Sequence, residues 1–171
     1  ESDCSMHYAQ KVERRDFMKV EKSKGDKLAD IFCILLLISQ MLYVLVSWGK
    51  FPDTIPAHYN AVGEIDRWGG KGEILIEPAL SCLLYLFLRV AERYPQIWNT
   101  GVTVTEANRE RVYGVLQHLL STMKAETVFI FTVLTIKTVS GTALSVWFFP
   151  ITMGMLFGSL FFWIWKLVKV K

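Results

Sequence analysis

An all-α integral membrane protein, a bundle of four transmembrane helices with an extracytoplasmic loop between the first two, is the fold class this sequence predicts. Three observations lead there. The apolar share is 52% over 171 residues and the mean hydropathy is +0.31, both high for a chain folding in water. Residues 28–48, LADIFCILLLISQMLYVLVSW, run to bilayer-spanning length with Asp30 at the entrance as the one charge. Lys and Arg fall mostly to one side of the spans that follow, as membrane topology requires.

Residues 1–27 are charged and lack a sustained helical face, which reads as a flexible cytoplasmic tail ahead of a membrane domain over 28–171. In the first span, Tyr43 and Trp48 sit where aromatics favour the interface, and Ser39 and Gln40 suit bonding to a neighbouring helix. The second span is 74–90, with Pro78 in its first turn, where a missing N–H costs little, and Glu77 at headgroup level. A turn-rich connector, 94–105, precedes a new helix start at Thr105, with Glu106 and Glu110 in the first turn.

From 112 to 123 the pattern is amphipathic, suiting a piece along or projecting from the inner surface. Residues 125–139 span only if counted from about Leu119, which puts Lys124 and Glu126 inside the inner half of the third span. Both are close enough to the interface to snorkel, and at i and i+2 they do not face each other. The fourth span is 144–165, where Gly154-x-x-x-Gly158 gives a small-residue face for packing within the chain, against a membrane-protein partner or in a homodimer.

Fifteen of the nineteen Lys and Arg residues lie in the tail, the second connector, the inner part of the third span and the C-terminal end, against Lys50, Arg67, Lys71 and Lys137 on the other side. Both termini are therefore expected in the cytoplasm and the first loop outside. Net charge is +3 and no nucleic-acid-binding spacing occurs, so the partner expected first is the lipid bilayer. Three cysteines build no disulfide framework, since Cys33 and Cys82 differ in depth by roughly 9 Å.

The loop 51–78, FPDTIPAHYNAVGEIDRWGGKGEILIEP, holds the sequence's most specific pattern. Pro52 and Pro56 stiffen an extended entry, and Asn60 and Gly63 suit left-handed conformations. His58, Asn60, Glu64 and Asp66 offer ligands, of which His58 and Asp66 suit a metal best. The other histidines fall on the opposite side, so a hydrogen-bonded structural loop is the plainer reading. With no H-E-x-x-H and no G-x-S-x-G, the chain reads as no enzyme, and the sequence names no cofactor.

At Pro56, His58, Tyr59, Asn60, Gly63, Asp66, Trp68 and Lys71, with Pro52-Asp53 before and Pro78 after, the loop resembles the domain-of-unknown-function family numbered 1648, which includes the SdpI-type immunity proteins. Ile65 and Arg67 depart from the family pattern and are expected to alter the turn before Trp68. The resemblance implies a bacterial plasma-membrane protein with no assigned reaction, giving immunity to or sensing an extracellular peptide or toxin through the loop. The alternative is a metal-binding or ion- or solute-translocating protein, for which Lys124 and Glu126 are the intramembrane candidates.

Overall fold

The computed structural model describes residues 20–171. Helix α1 spans Lys24–Ser47, opening four residues before the expected 28. Its first turn is charged and carries no apolar signal, but Ser23 and Asp26 form a reciprocal cap: Asp26 N donates to Ser23 Oγ at 3.2 Å and Ser23 N to Asp26 Oδ2 at 2.9 Å. The tail proposed as 1–27 thus ends in helix, and 1–19 lies outside the described residues. After a 3₁₀ turn at Trp48–Lys50 come strands β1 (Thr54–Tyr59) and β2 (Ile65–Gly70), a 3₁₀ segment at Lys71–Leu75, and helix α2 (Ile76–Ala91). A last 3₁₀ turn at Pro95–Ile97 leads to α3 (Arg109–Ser140) and α4 (Phe148–Lys169).

The amphipathic piece at 112–123 is no separate element. It is the first third of α3, a continuous helix of 32 residues, roughly 48 Å long and so longer than a bilayer core is thick. Thr105 is not the helix cap: that position is Asn108, which makes no side-chain capping bond, and Thr105 closes the preceding turn by exchanging hydrogen bonds with Asn108 (Thr105 N to Asn108 Oδ1, 2.7 Å; Asn108 N to Thr105 Oγ1, 3.3 Å). Gly141, left-handed at φ 64°, ends the helix.

All-α membrane architecture holds, since α1, the 3₁₀–α2 unit, α3 and α4 are each long and apolar enough to cross a membrane. Among the described residues the one exception to all-α is the two-stranded hairpin β1–β2. The bundle is built on an axis: α1, α2 and α4 each pack on α3, and α4 rests chiefly on that helix. Outward faces such as Leu28, Leu35, Leu42, Phe87 and Phe161 remain uncovered, as lipid contact requires.

Two apolar clusters close the ends of this arrangement. At the hairpin end Val44, Phe51, Ile55 and Ile74 meet, with Val139 against them. At the end holding the start of α1 and the C-terminus Val112, Leu116 and Leu167 meet, flanked by Trp98 and Val170. Between them the buried face of α3 is polar: Gln117, Ser121, Lys124, Thr132, Thr135 and Thr138 recur at three- and four-residue steps, with Val128 among them. Lipid tails give helices no hydrophobic reason to associate, so hydrogen bonds and ion pairs along this stripe supply much of the specificity of packing.

Candidate functional site

The hairpin is where most of the expected loop residues meet, and most of them build it. Strands β1 and β2 run antiparallel, Thr54 opposite Gly70 and Pro56 opposite Trp68, with irregular register around His58. Pro56 is tolerated because a two-stranded ribbon is all edge. Asn60 organises the turn: its Oδ1 accepts from Val62 N and Glu64 N, both at 3.0 Å, and its Nδ2 donates to Glu64 Oε2 at 2.9 Å. Gly63 has φ 86°, and a Cβ there would stand 2.8 Å from Leu144 O, where the turn leans on the α3–α4 connection. Leu144 N donates to Gly63 O at 2.8 Å, and Tyr59 Oη donates to Thr142 O at 3.4 Å. Lys71 anchors the other side, its N donating to Asp53 O at 3.0 Å and its Nζ lying 5.0 Å over the Trp48 ring.

Ile65 and Arg67 shape no turn before Trp68. Both are strand residues, Ile65 opposite Tyr59 and Arg67 opposite His58, and the Arg67 guanidinium donates to Ala57 O at 3.1 Å and pairs with Glu73 at 2.9 Å. What the hairpin leaves outward is His58, Asp66 and Trp68, with Trp68 56% exposed. His58 Nδ1 and Asp66 Oδ1 are 2.6 Å apart, in the open. Among the described residues no group of three or more His, Cys, Asp or Glu side chains forms a metal cluster, so His58 and Asp66 stand as a pair.

At the opposite end Lys124 does not snorkel. Its side chain is fully buried, with Nζ 2.5 Å from Asp30 Oδ1 and 2.6 Å from Glu92 Oε1. Lys22 bridges the same two acids at 2.7 and 2.5 Å, and Arg89 approaches both at 3.3 and 3.2 Å. Ser121 Oγ donates to Glu92 at 3.1 Å. Three cations on two carboxylates leave the group with one net positive charge, and a cavity of about 540 Å³ lined by Lys27, Arg93 and Gln117 opens beside it. Burial pushes the Glu92 carboxyl up, but hydrogen bonds and charge from Lys124 and Lys22 outweigh it and hold the group below the usual range. Nearby, Asp26 Oδ1 lies 2.8 Å from His118 Nδ1, and the His118 ring stacks on Trp163.

Glu126 turns the other way, toward α4, accepting from Ser159 Oγ at 2.9 Å. Gly154 and Gly158 are exposed, and a Cβ at either would meet nothing within 4 Å, so their small-residue face is turned away from the rest of the chain. Ser39 bonds its own helix at Leu36 O, whereas Gln40 faces α3 and accepts from Thr135 Oγ1 at 3.5 Å.

One cluster went unread in the sequence. Glu77, expected at headgroup level, turns inward and accepts from Thr138 Oγ1 at 2.8 Å, with Thr135 beside the same carboxyl. Tyr59 stands over it from the hairpin: burial raises the phenol above its ordinary value, a Thr138 hydrogen bond opposes this and the Glu77 charge adds to it. The available signal was the polar spacing 117, 121, 124, 132, 135, 138 on α3, which demands polar partners on the helices it faces.

Residues 35–81 match the family described as a domain of unknown function, DUF1648. That stretch is similar to the domain. The DUF1648 segment takes in the second half of α1, the hairpin and the start of α2, and so includes Gln40, Glu77 and Ser81 but neither Asp30 nor Lys124. An uncharacterized protein of the archaeon Archaeoglobus fulgidus is 36% identical over 66 residues. That match covers 34% of this chain and 36% of the relative, so the chain spans about a third of the relative's length. No solved structure matches.

Proposed function

We propose that this multi-pass membrane protein is a non-enzymatic recognition protein of the plasma membrane, whose hairpin faces outward and meets an extracellular agent such as a peptide toxin, in the manner of SdpI-type immunity or envelope sensing. The observation that carries the reading is that the hairpin is a preformed surface. Its turn is bonded to the α3–α4 connection and its base to Asp53 and Trp48, while His58, Asp66 and Trp68 stay free to touch a partner. A rigid aromatic beside an acid–imidazole pair suits a peptide, since little side-chain freedom is lost on contact. The Lys and Arg bias puts this end outside and both termini in the cytoplasm.

Deleting the gene and challenging the cells with envelope-active peptides tests the reading. Sensitivity restored to normal by the wild-type chain, but not by His58→Ala or Asp66→Asn present in the membrane at equal level, is the expected result; unchanged survival under every peptide overturns it. A second reading, ion or small-solute translocation, draws on the polar stripe of α3 and is tested by flux into proteoliposomes.

A further inference from the structure

At the end holding Lys124, Asp26 lies against His118 and Glu126 against the Ser159 hydroxyl, while Asp30 and Glu92 share three cationic partners, Lys22, Arg89 and Lys124. Glu77 has none. Among the described residues its contacts are hydroxyls, and no Lys, Arg or His reaches it. From β1 the titratable group facing it is Tyr59. Glu73, four residues earlier, is engaged by Arg67, and Lys137, next to Thr138 on α3, makes no ion pair with it. Gln40 on α1, which meets Thr135 beside the Glu77 carboxyl, carries no charge.

The surroundings are unfinished in the same place. Glu77 Oε2, Gln40 Nε2 and Ser81 Oγ are buried without a hydrogen-bond partner, and Gln40 and Ser81 are themselves 1% and 0% exposed. Ser81 stands one turn beyond Glu77 on the same face of α2, and Gln40 meets Thr135, which stands beside the Glu77 carboxyl. Three helices therefore aim a carboxylate, an amide and three hydroxyls at one region, roughly 10 Å in from the end of α1. Buried polar atoms are seldom left unpaired, and a lone carboxylate in so dry a place needs one positive charge to balance it. A divalent ion would overcompensate a single carboxylate. The oxygen-rich, singly charged set suits a small monovalent charge, for which hard oxygen donors are the matching ligands.

We propose that Glu77, with Gln40, Ser81, Thr135 and Thr138, forms an intramembrane site that holds one monovalent positive charge, a proton or a sodium-sized cation. The site lies beneath the hairpin, joined to it through Tyr59 and Thr138. It requires neither peptide recognition by the hairpin nor passage of an ion across the membrane.

Dicyclohexylcarbodiimide, which attacks protonated carboxyls in apolar surroundings, is the probe, applied to the full chain in proteoliposomes with peptide mass mapping. Labelling of Glu77 that falls about tenfold per pH unit above a midpoint and ignores sodium supports the proton source. Labelling suppressed at least tenfold by sodium, but not by choline, supports the cation source. Glu77→Gln gives the blank, and Glu126→Gln, which removes a carboxyl lacking these surroundings, leaves the Glu77 signal unchanged.

Infrared difference spectra of wild type against Glu77→Gln cover the case of a reagent that cannot enter. A protonated-carboxyl band that appears on acidification or disappears with sodium supports the site. Absence of labelling together with a carboxylate band unmoved by pH and by sodium overturns it.

Discussion

Lys124 shows at the level of one residue how this chain tolerates charge in a bilayer. The ammonium is wholly buried, yet two carboxylates within 2.6 Å complete its shell, and Lys22 and Arg89 more than balance the surplus acid. Breaking a buried pair by removing one partner is far costlier than never having built it, on the order of 3–5 kcal/mol. Lys124→Met is therefore expected to lower the melting temperature in detergent sharply, whereas Lys137→Met at the hairpin end, with no ion pair to lose, leaves it nearly unchanged. Equal melting temperatures for the two variants would contradict the network. Glu92 gives the same argument a pH sign. Its folded-state carboxyl is held below the ordinary value, so its contribution is fully present above the unfolded glutamate value of roughly 4.3 and is lost as pH falls through the lower folded value. Melting temperature is expected to fall over that acidic window in the wild type and to fall less steeply in Glu92→Gln, which starts lower.

Among the elements, the hairpin depends on two residues of its turn. Gly63→Ala puts a methyl into a left-handed position and against Leu144 O, at a cost of about 1–3 kcal/mol, and Asn60→Ala removes the acceptor of two backbone N–H groups. Both variants are expected to open the hairpin to limited proteolysis between 59 and 66 while the helices keep their circular dichroism; unchanged cleavage would mean the turn is held by other contacts. The turn was legible in the sequence because Asn60 and Gly63 announce their conformations locally. The strands were not: Pro56 and two glycines at the end of β2 mask the alternation, and an irregular register around His58 breaks it. The spans were legible from apolar length, but the start of α1 lay in a charged capping box, which hydropathy does not register. Glu77 was read at the interface because sequence gives depth along a helix, not the direction a carboxyl takes once α3 supplies hydroxyls to meet it.

Across the whole molecule, the two ends differ in charge as well as in shape. Among the described residues, the end with the start of α1 and the C-terminus holds the ion-paired network and most of the Lys and Arg, whereas the hairpin end holds Lys50, Arg67, Lys71 and Lys137, two of which are occupied: Arg67 by Glu73 and Lys71 by the Trp48 and Phe51 rings. Fixed cations near helix ends resist translocation, and the difference between ends is large enough to set one orientation. Cysteine access measures this directly. In a background with the native cysteines replaced by serine, Val62→Cys at the exposed hairpin turn is expected to react with a membrane-impermeant maleimide on intact cells. Ala107→Cys, exposed in the connector before α3, is expected to react only after the membrane is opened. The reverse pattern would place the hairpin inside, and with it would fall the idea that His58, Asp66 and Trp68 meet anything from outside the cell; the Glu77 site would stand in either orientation, since its surroundings are set by packing alone.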